Sequence, residues 1–183
     1  MGFRGDRPKL RGTASYGRRS TAPVTAEPPR PLDSFQPSRA EKKKILFVCI
    51  GNSCRSQMAE AFARAYGSDV MIPQSAGLNP ATIISPLTQQ TLGERNIRLD
   101  GHFPKGVDMM ARETFDLVVN ISGQRLPLPA VRMIEWAVPD PIGRTNEVYR
   151  NVAGQIESLV IGLILELRAS LAAPATPARP PLG

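Results

Sequence analysis

Ile45-Leu46-Phe47-Val48 is an unbroken apolar run, and its junction with the polar segment beyond it constrains the fold more than anything else in the chain. Four consecutive large apolar residues suit a short strand buried on both faces. The chain then turns through Cys49-Ile50-Gly51-Asn52-Ser53-Cys54-Arg55-Ser56. Beyond the turn, Met58, Ala61, Phe62 and Ala65 fall at i, i+3, i+4 and i+7. That spacing predicts one apolar face of a helix. A buried strand leading through a polar loop into a helix belongs to an alternating α/β architecture.

The rest of the central segment repeats the alternation. Val70 to Ile72, ended by Pro73, reads as a strand, and Pro86 opens a helix through Leu87, Thr91 and Leu92. Val107 to Arg112 is a short helix. Leu117 to Ile121 is a second buried strand. Val131 to Val138 is an apolar strand broken by Arg132 and Glu135, which suits a sheet edge. Ile156, Val160, Leu163, Ile164 and Leu167 mark the closing helix. The expected fold is α/β: three αβα layers around a four-stranded, parallel, twisted sheet. In such sheets ligands bind beyond the carboxyl ends of the strands, here the loops after Val48, Ile121 and Val138.

Charge separates this domain from its flanks. Residues 1–44 hold 11 Lys+Arg against 4 Asp+Glu, whereas residues 45–183 hold 12 of each. The surplus of +7 therefore lies ahead of the first strand, and the high pI describes a tail rather than a binding face. Residues 1–41 are expected to be a disordered basic Pro/Arg-rich tail, 42–171 the folded domain, and 172–183 a disordered Ala/Pro-rich tail. A transit peptide or an RNA-touching arm is the other reading of such a basic block. No nucleic-acid or membrane partner is expected for the domain. Cys49 and Cys54 are the only cysteines and His102 the only histidine, too few for a disulfide framework or a zinc site. These features point to a reducing, cytoplasmic setting and to no metal or cofactor.

The loop itself carries chemistry. A loop between a buried strand and a helix N-terminus turns backbone N–H groups and a positive dipole end toward its contents. Gly51 and Asn52 tolerate positive φ, so successive amides of Ile50, Gly51, Asn52, Ser53, Cys54, Arg55 and Ser56 can face inward as an anion nest. Arg55 adds a fork able to hold two oxyanion oxygens. Cys49 at the mouth is placed as a thiolate nucleophile toward phosphorus, and Ser56 is placed to hydrogen-bond its sulfur. The plainer reading, a small buried residue at a strand end, leaves Gly51, Asn52, Arg55 and Ser56 without a purpose.

Cys-x5-Arg-Ser after the first strand, with Gly51-Asn52 inside and Met58-Ala59-Glu60 following, resembles the low-molecular-weight protein-tyrosine phosphatase superfamily. The run Gly51 to Glu60 is most similar to its thiol-dependent arsenate reductase branch. The similarity extends through Ser75-Ala76-Gly77, Phe115 to Val119, Trp136 to Pro141 and the final helix. It implies a phosphotyrosine protein phosphatase I-like fold. It implies that Asp140, in Asp140-Pro141, is the general acid, where spacing alone leaves a plain turn. It also implies that His102 hydrogen-bonds Asn52, where the residue by itself reads equally as an exposed loop histidine.

The resemblance has gaps. The thioredoxin-recycled reductases carry a further cysteine pair after the strand equivalent to Leu117–Ile121, and Ser122 to Pro129 contains none. The phosphatase branch follows its Asp-Pro with aromatic residues, and here Ile142 and Gly143 follow. The expected activity is hydrolysis of phosphotyrosine or a small phosphate monoester through a phosphocysteine. The alternatives are arsenate reduction with an external thiol and a non-catalytic oxyanion-binding module. Cys54, five residues from Cys49, is also placed to form a protective disulfide with it.

Overall fold

The computed structural model describes residues 41–128 and 132–172. The expected tails lie outside the described residues except for Glu41 and Ala172, as does Val131 at the start of the expected edge strand. Among the described residues no helix is long and apolar enough to cross a membrane.

The domain is a four-stranded, all-parallel sheet in the order β2-β1-β3-β4. Strand β1 (Lys43–Cys49) leads through the loop into α1 (Arg55–Gly67), which returns to β2 (Met71–Gly77). Next come α2 (Pro86–Gly93), a 3₁₀ turn (Val107–Met110), β3 (Leu117–Asn120), β4 (Met133–Glu135) and α3 (Asn146–Ala172). The chain leaves β1 in one direction for β2 and returns on its other side as β3. The carboxyl end of β1 is therefore the point where the strand order reverses, and crevices open at such points.

Side chains alternate across β1. Ile45 and Phe47 join Met58, Phe62, Val160 and Ile164 in the core beneath α1 and α3. Leu46 and Val48 face the opposite side and pack with Met110, Phe115, Val118 and Leu126. That second outer layer is thin, built from the 3₁₀ turn and loops, whereas α1, α2 and α3 gather on the first face.

Three expectations are corrected. β2 continues to Gly77 rather than stopping at Pro73, because it is an edge strand, paired with β1 on one side and bridged on the other at Gly77 by Gly106, and an edge accommodates a residue lacking an N–H at Pro73. The apolar stripe of α1 does not include Ala65, which is exposed, while residues Arg55 to Ala63 are all buried. That half of α1 is enclosed all round by the sheet, α3 and the 98–106 loop, so a one-sided pattern cannot describe it. β4 is only three residues long, although it takes the edge position that Arg132 and Glu135 suggested.

Candidate active site

The loop after β1 is held from outside by its carbonyls. Cys49 O, Ile50 O and Gly51 O accept the amides of Leu78, Asn79 and Ala81 at 3.1, 2.9 and 2.9 Å. Ser53 O accepts Ser85 N and Thr88 Oγ1, and Asn52 O accepts Gln57 Nε2. With the carbonyls turned out, the amides turn in: those of Ile50, Gly51, Ser53 and Cys54 have no protein partner among the described residues. No side chain caps α1, and no acid occupies its first turn. This is an anion nest at a helix N-terminus. Asn52 alone supplies the positive φ, at 47°. Gly51, expected to share that role, is not among the positive-φ residues, because one left-handed residue suffices to turn the loop.

Asn52 orders the polar groups behind the nest. Its Oδ1 accepts the Lys105 amide at 2.7 Å, and an amide can only donate, so the other side-chain atom must be the NH₂. That NH₂ donates to Ser56 Oγ and Ser75 Oγ, both at 2.8 Å. Ser56 Oγ, accepting from Asn52, lies 2.9 Å from Cys49 Sγ and is the donor of that bond whenever the sulfur is a thiolate. The Asn52 amide also donates to this sulfur, at 3.3 Å. Cys49 is buried at the end of β1, and its sulfur lies within hydrogen-bond reach of the Asn52 amide and the Ser56 hydroxyl.

Arg55 opens α1 and is buried. Its Nη1 donates to the carbonyls of Ile121 and Val138, at the ends of β3 and of the segment after β4. Its Nη2 pairs with Asp140 Oδ2 at 2.5 Å, and Asp140 Oδ1 accepts the Ile142 amide. Buried Nε has no partner among the described residues. Cys49 and Arg55 from one loop and Asp140 from a second segment, expected together, line one open pocket of about 270 Å³. Among the described residues, Ile50, Gly51, Ser53, Cys54, Ala81 and Ile142 complete it, and none of these is aromatic.

His102 is one bond further out than expected. Its Nδ1 meets Gln57 Oε1 at 2.9 Å, and Gln57 Nε2 reaches Asn52. Because Nε2 of Gln57 already donates to carbonyl oxygens, His102 Nδ1 carries the proton. Burial pushes the His102 pKa below its usual value, partly countered by Glu60. Cys54 faces Tyr149, with Sγ 3.5 Å from a hydroxyl that also bonds Ser85. Gln57, Glu60, Ser75 and the Lys105 amide, which support the loop, were not singled out by the sequence. The signal was in the helix: three polar side chains at 56, 57 and 60 in a segment otherwise rich in small and apolar residues.

The sequence pattern of the low molecular weight phosphotyrosine protein phosphatase family matches residues 44–173. The chain belongs to that family. A glutaredoxin arsenate reductase from Synechocystis is 32% identical to this phosphatase-family chain over 130 residues, covering 68% of it and 98% of the relative. An arsenate reductase solved in a phosphate-binding state superposes with a TM-score of 0.62 at 32% identity, covering 68% and 98%. An arginine phosphatase from Geobacillus stearothermophilus superposes with a TM-score of 0.63 at 25% identity, covering 70% and 94%. The family membership thus embraces reductase and phosphatase relatives on one fold.

Proposed function

We propose that this member of the family is a cysteine-dependent phosphohydrolase acting on phosphate monoesters. The observation that carries the reading is the convergence of Cys49, Arg55 and Asp140 on one pocket, with the Arg55 Nε–H buried and unpartnered among the described residues. The Cys49 thiolate attacks phosphorus while the amides of Ile50, Gly51, Ser53 and Cys54 together with Arg55 hold the non-bridging oxygens. Asp140 gives a proton to the departing alkoxide or phenoxide. Water then attacks the phosphocysteine with Asp140 as base, releasing phosphate, and Ser56 stabilises the returning thiolate. Ile142 and Ala81 in the lining suit small or aliphatic leaving groups as well as a phenyl ring, so the substrate panel includes p-nitrophenyl phosphate, phosphotyrosine and an alkyl phosphate.

Arsenate reduction is the second reading, favoured by the names of the relatives at about a third identity. Both cysteines of the chain lie in the loop, and Cys54 is engaged with Tyr149. Two external thiols would therefore supply the electron pair, leaving as a disulfide. Steady-state turnover of the panel, beside arsenite formation with glutathione- or thioredoxin-type reductants, separates the readings. Phosphate release that is lost in Cys49→Ser is expected. Release that survives Cys49→Ser, or arsenite formation without any phosphatase turnover, would overturn it.

A further inference from the structure

Beyond the anion nest, the wall of the catalytic pocket is aliphatic. Ile50 comes from the loop, Ala81 from the segment after β2, and Ile142 from the segment after Asp140-Pro141. Each is held by backbone bonds. Ile50 O and Gly51 O accept the amides of Asn79 and Ala81, and the Ile142 amide donates to Asp140 Oδ1 at 3.2 Å. A leaving group within reach of Asp140 therefore lies against Ile142. Ile142 is still 54% exposed, so apolar surface remains to be covered when a ligand enters.

Charge in this lining is sparse. Among the described residues, and apart from the nucleophile, Arg55 and Asp140 are its charged side chains, and Arg55 serves the transferring phosphoryl group. A leaving group with its own anion finds no second cation and faces Asp140. A polyhydroxylated one buries hydroxyls against three aliphatic residues, which costs binding. An aryl one covers apolar area, but without a ring to stack on it gains nothing beyond that area. The pocket, about 270 Å³, lies below the roughly 300–1,000 Å³ of sites for drug-sized ligands, and the phosphoryl group takes part of it. We propose that Ile142, together with Ile50 and Ala81, determines specificity for uncharged aliphatic leaving groups, so that the site takes short alkyl phosphate monoesters. This substrate class rests on the phosphohydrolase reading above and narrows it.

Two kinds of wall rank ligands differently. A wall that recognises a flat ring prefers a phenyl group to a cyclohexyl group of the same size. A wall that covers apolar surface ranks ligands by that surface, so cyclohexyl binds at least as well as phenyl. Affinity then grows with chain length, by about two- to fourfold for each methylene until the chain passes the rim. Ile142→Ala separates the wall from the acid, since alanine keeps the amide that holds Asp140 Oδ1.

The test is calorimetric binding of phosphonates to the full-length protein, which needs no turnover, with thermal melting to report the fold. Affinity is expected to rise about tenfold or more from methyl- to butylphosphonate. Cyclohexylphosphonate is expected to match or exceed phenylphosphonate. Ile142→Ala is expected to cut the rise to about threefold or less and to leave methylphosphonate within about twofold of wild type. Ile142→Tyr is expected to place phenylphosphonate ahead of cyclohexylphosphonate. In turnover, butyl phosphate is expected to exceed glycerol phosphate in kcat/KM by about tenfold or more. A flat response to chain length overturns the proposal, as does a several-fold preference of the wild type for phenyl over cyclohexyl. An undiminished rise in a folded Ile142→Ala protein overturns it too. If Ile142→Ala fails to fold, the wild-type ranking decides. Methylphosphonate that fails to bind, with no ester turned over, overturns the phosphohydrolase reading itself, a failure distinct from that of the wall.

Discussion

Asp140 is bound to two tasks that pull in opposite directions. One carboxylate oxygen holds Arg55 Nη2 at 2.5 Å while the other accepts the Ile142 amide. In the proposed reaction the same side chain must supply a proton to the leaving oxygen, and it is half-exposed, at 44%, where an incoming ester can reach it. Replacing it by alanine therefore has a split outcome. The maximal rate on an ester with a poor leaving group is expected to fall by about 10²–10⁴-fold, with a smaller loss for p-nitrophenolate, which needs less protonation. Inhibition by inorganic phosphate is expected to strengthen, because Arg55 is released and a negative charge leaves the pocket. Steady-state kinetics with phosphate as a competitive inhibitor checks both signs. Equal losses in rate and phosphate affinity would mean that Asp140 only props the loop.

At the scale of elements, the site depends on how β2 ends. Gly77 pairs with Cys49 in the sheet and lies against the back of the loop. A Cβ there would stand 2.7 Å from Ile50 O and 2.8 Å from Asn52 N, both backbone atoms with no freedom to rotate away. Gly77→Ala is expected to destabilise the domain by about 1–3 kcal/mol by pushing the loop off its seat. It is expected to reduce kcat/KM by on the order of tenfold or more, since sub-ångström placement of the nest matters. Urea titration and turnover measured on the same preparation test this. Much of this level was legible in the sequence. Ile45 to Val48 and Leu117 to Ile121 are buried on both faces, so their apolar runs announce them. The Cys49–Ser56 loop is legible because each residue type serves the nest. The end of β2 was obscured by Pro73, whose penalty disappears only once the strand is known to lie at an edge. Glu60 was obscured for a related reason: a glutamate on a helix reads as solvent-facing until the 98–106 loop is seen to close over it. His102 was placed near Asn52, but the intervening Gln57 is set by side-chain length and loop path, which spacing does not encode.

At the scale of the whole molecule, titratable groups set a pH window for stability. Arg150 on α3 takes both oxygens of Glu94 at the end of α2, and Arg168 near the end of α3 takes both oxygens of Asp69 after α1. These pairs hold the Glu94 pKa down, to about 2, and lower that of Asp69. Carboxylates with depressed folded pKa values stabilise above the ordinary carboxylate range and lose that contribution as pH falls toward 2. Burial likewise lowers His102 below its usual 6.5, so the fold favours its neutral form and loses stability as pH drops beneath 6.5. Tyr149 behaves in the opposite sense: burial and its bond to Cys54 push it up to about 12, and stability is lost as pH climbs from 10 toward that value. The urea midpoint at fixed ionic strength is therefore expected to be flat between about pH 6.5 and 10 and to fall on both sides. High salt is expected to flatten the loss below pH 4.5, where exposed ion pairs are responsible, and to leave the His102 limb, which arises from burial, in place. A midpoint that rises as pH falls through 6.5 would show His102 held as an imidazolium against buried Glu60, and the balance of that carboxylate's charge would have to be assigned to the histidine instead of Lys105 and Arg64.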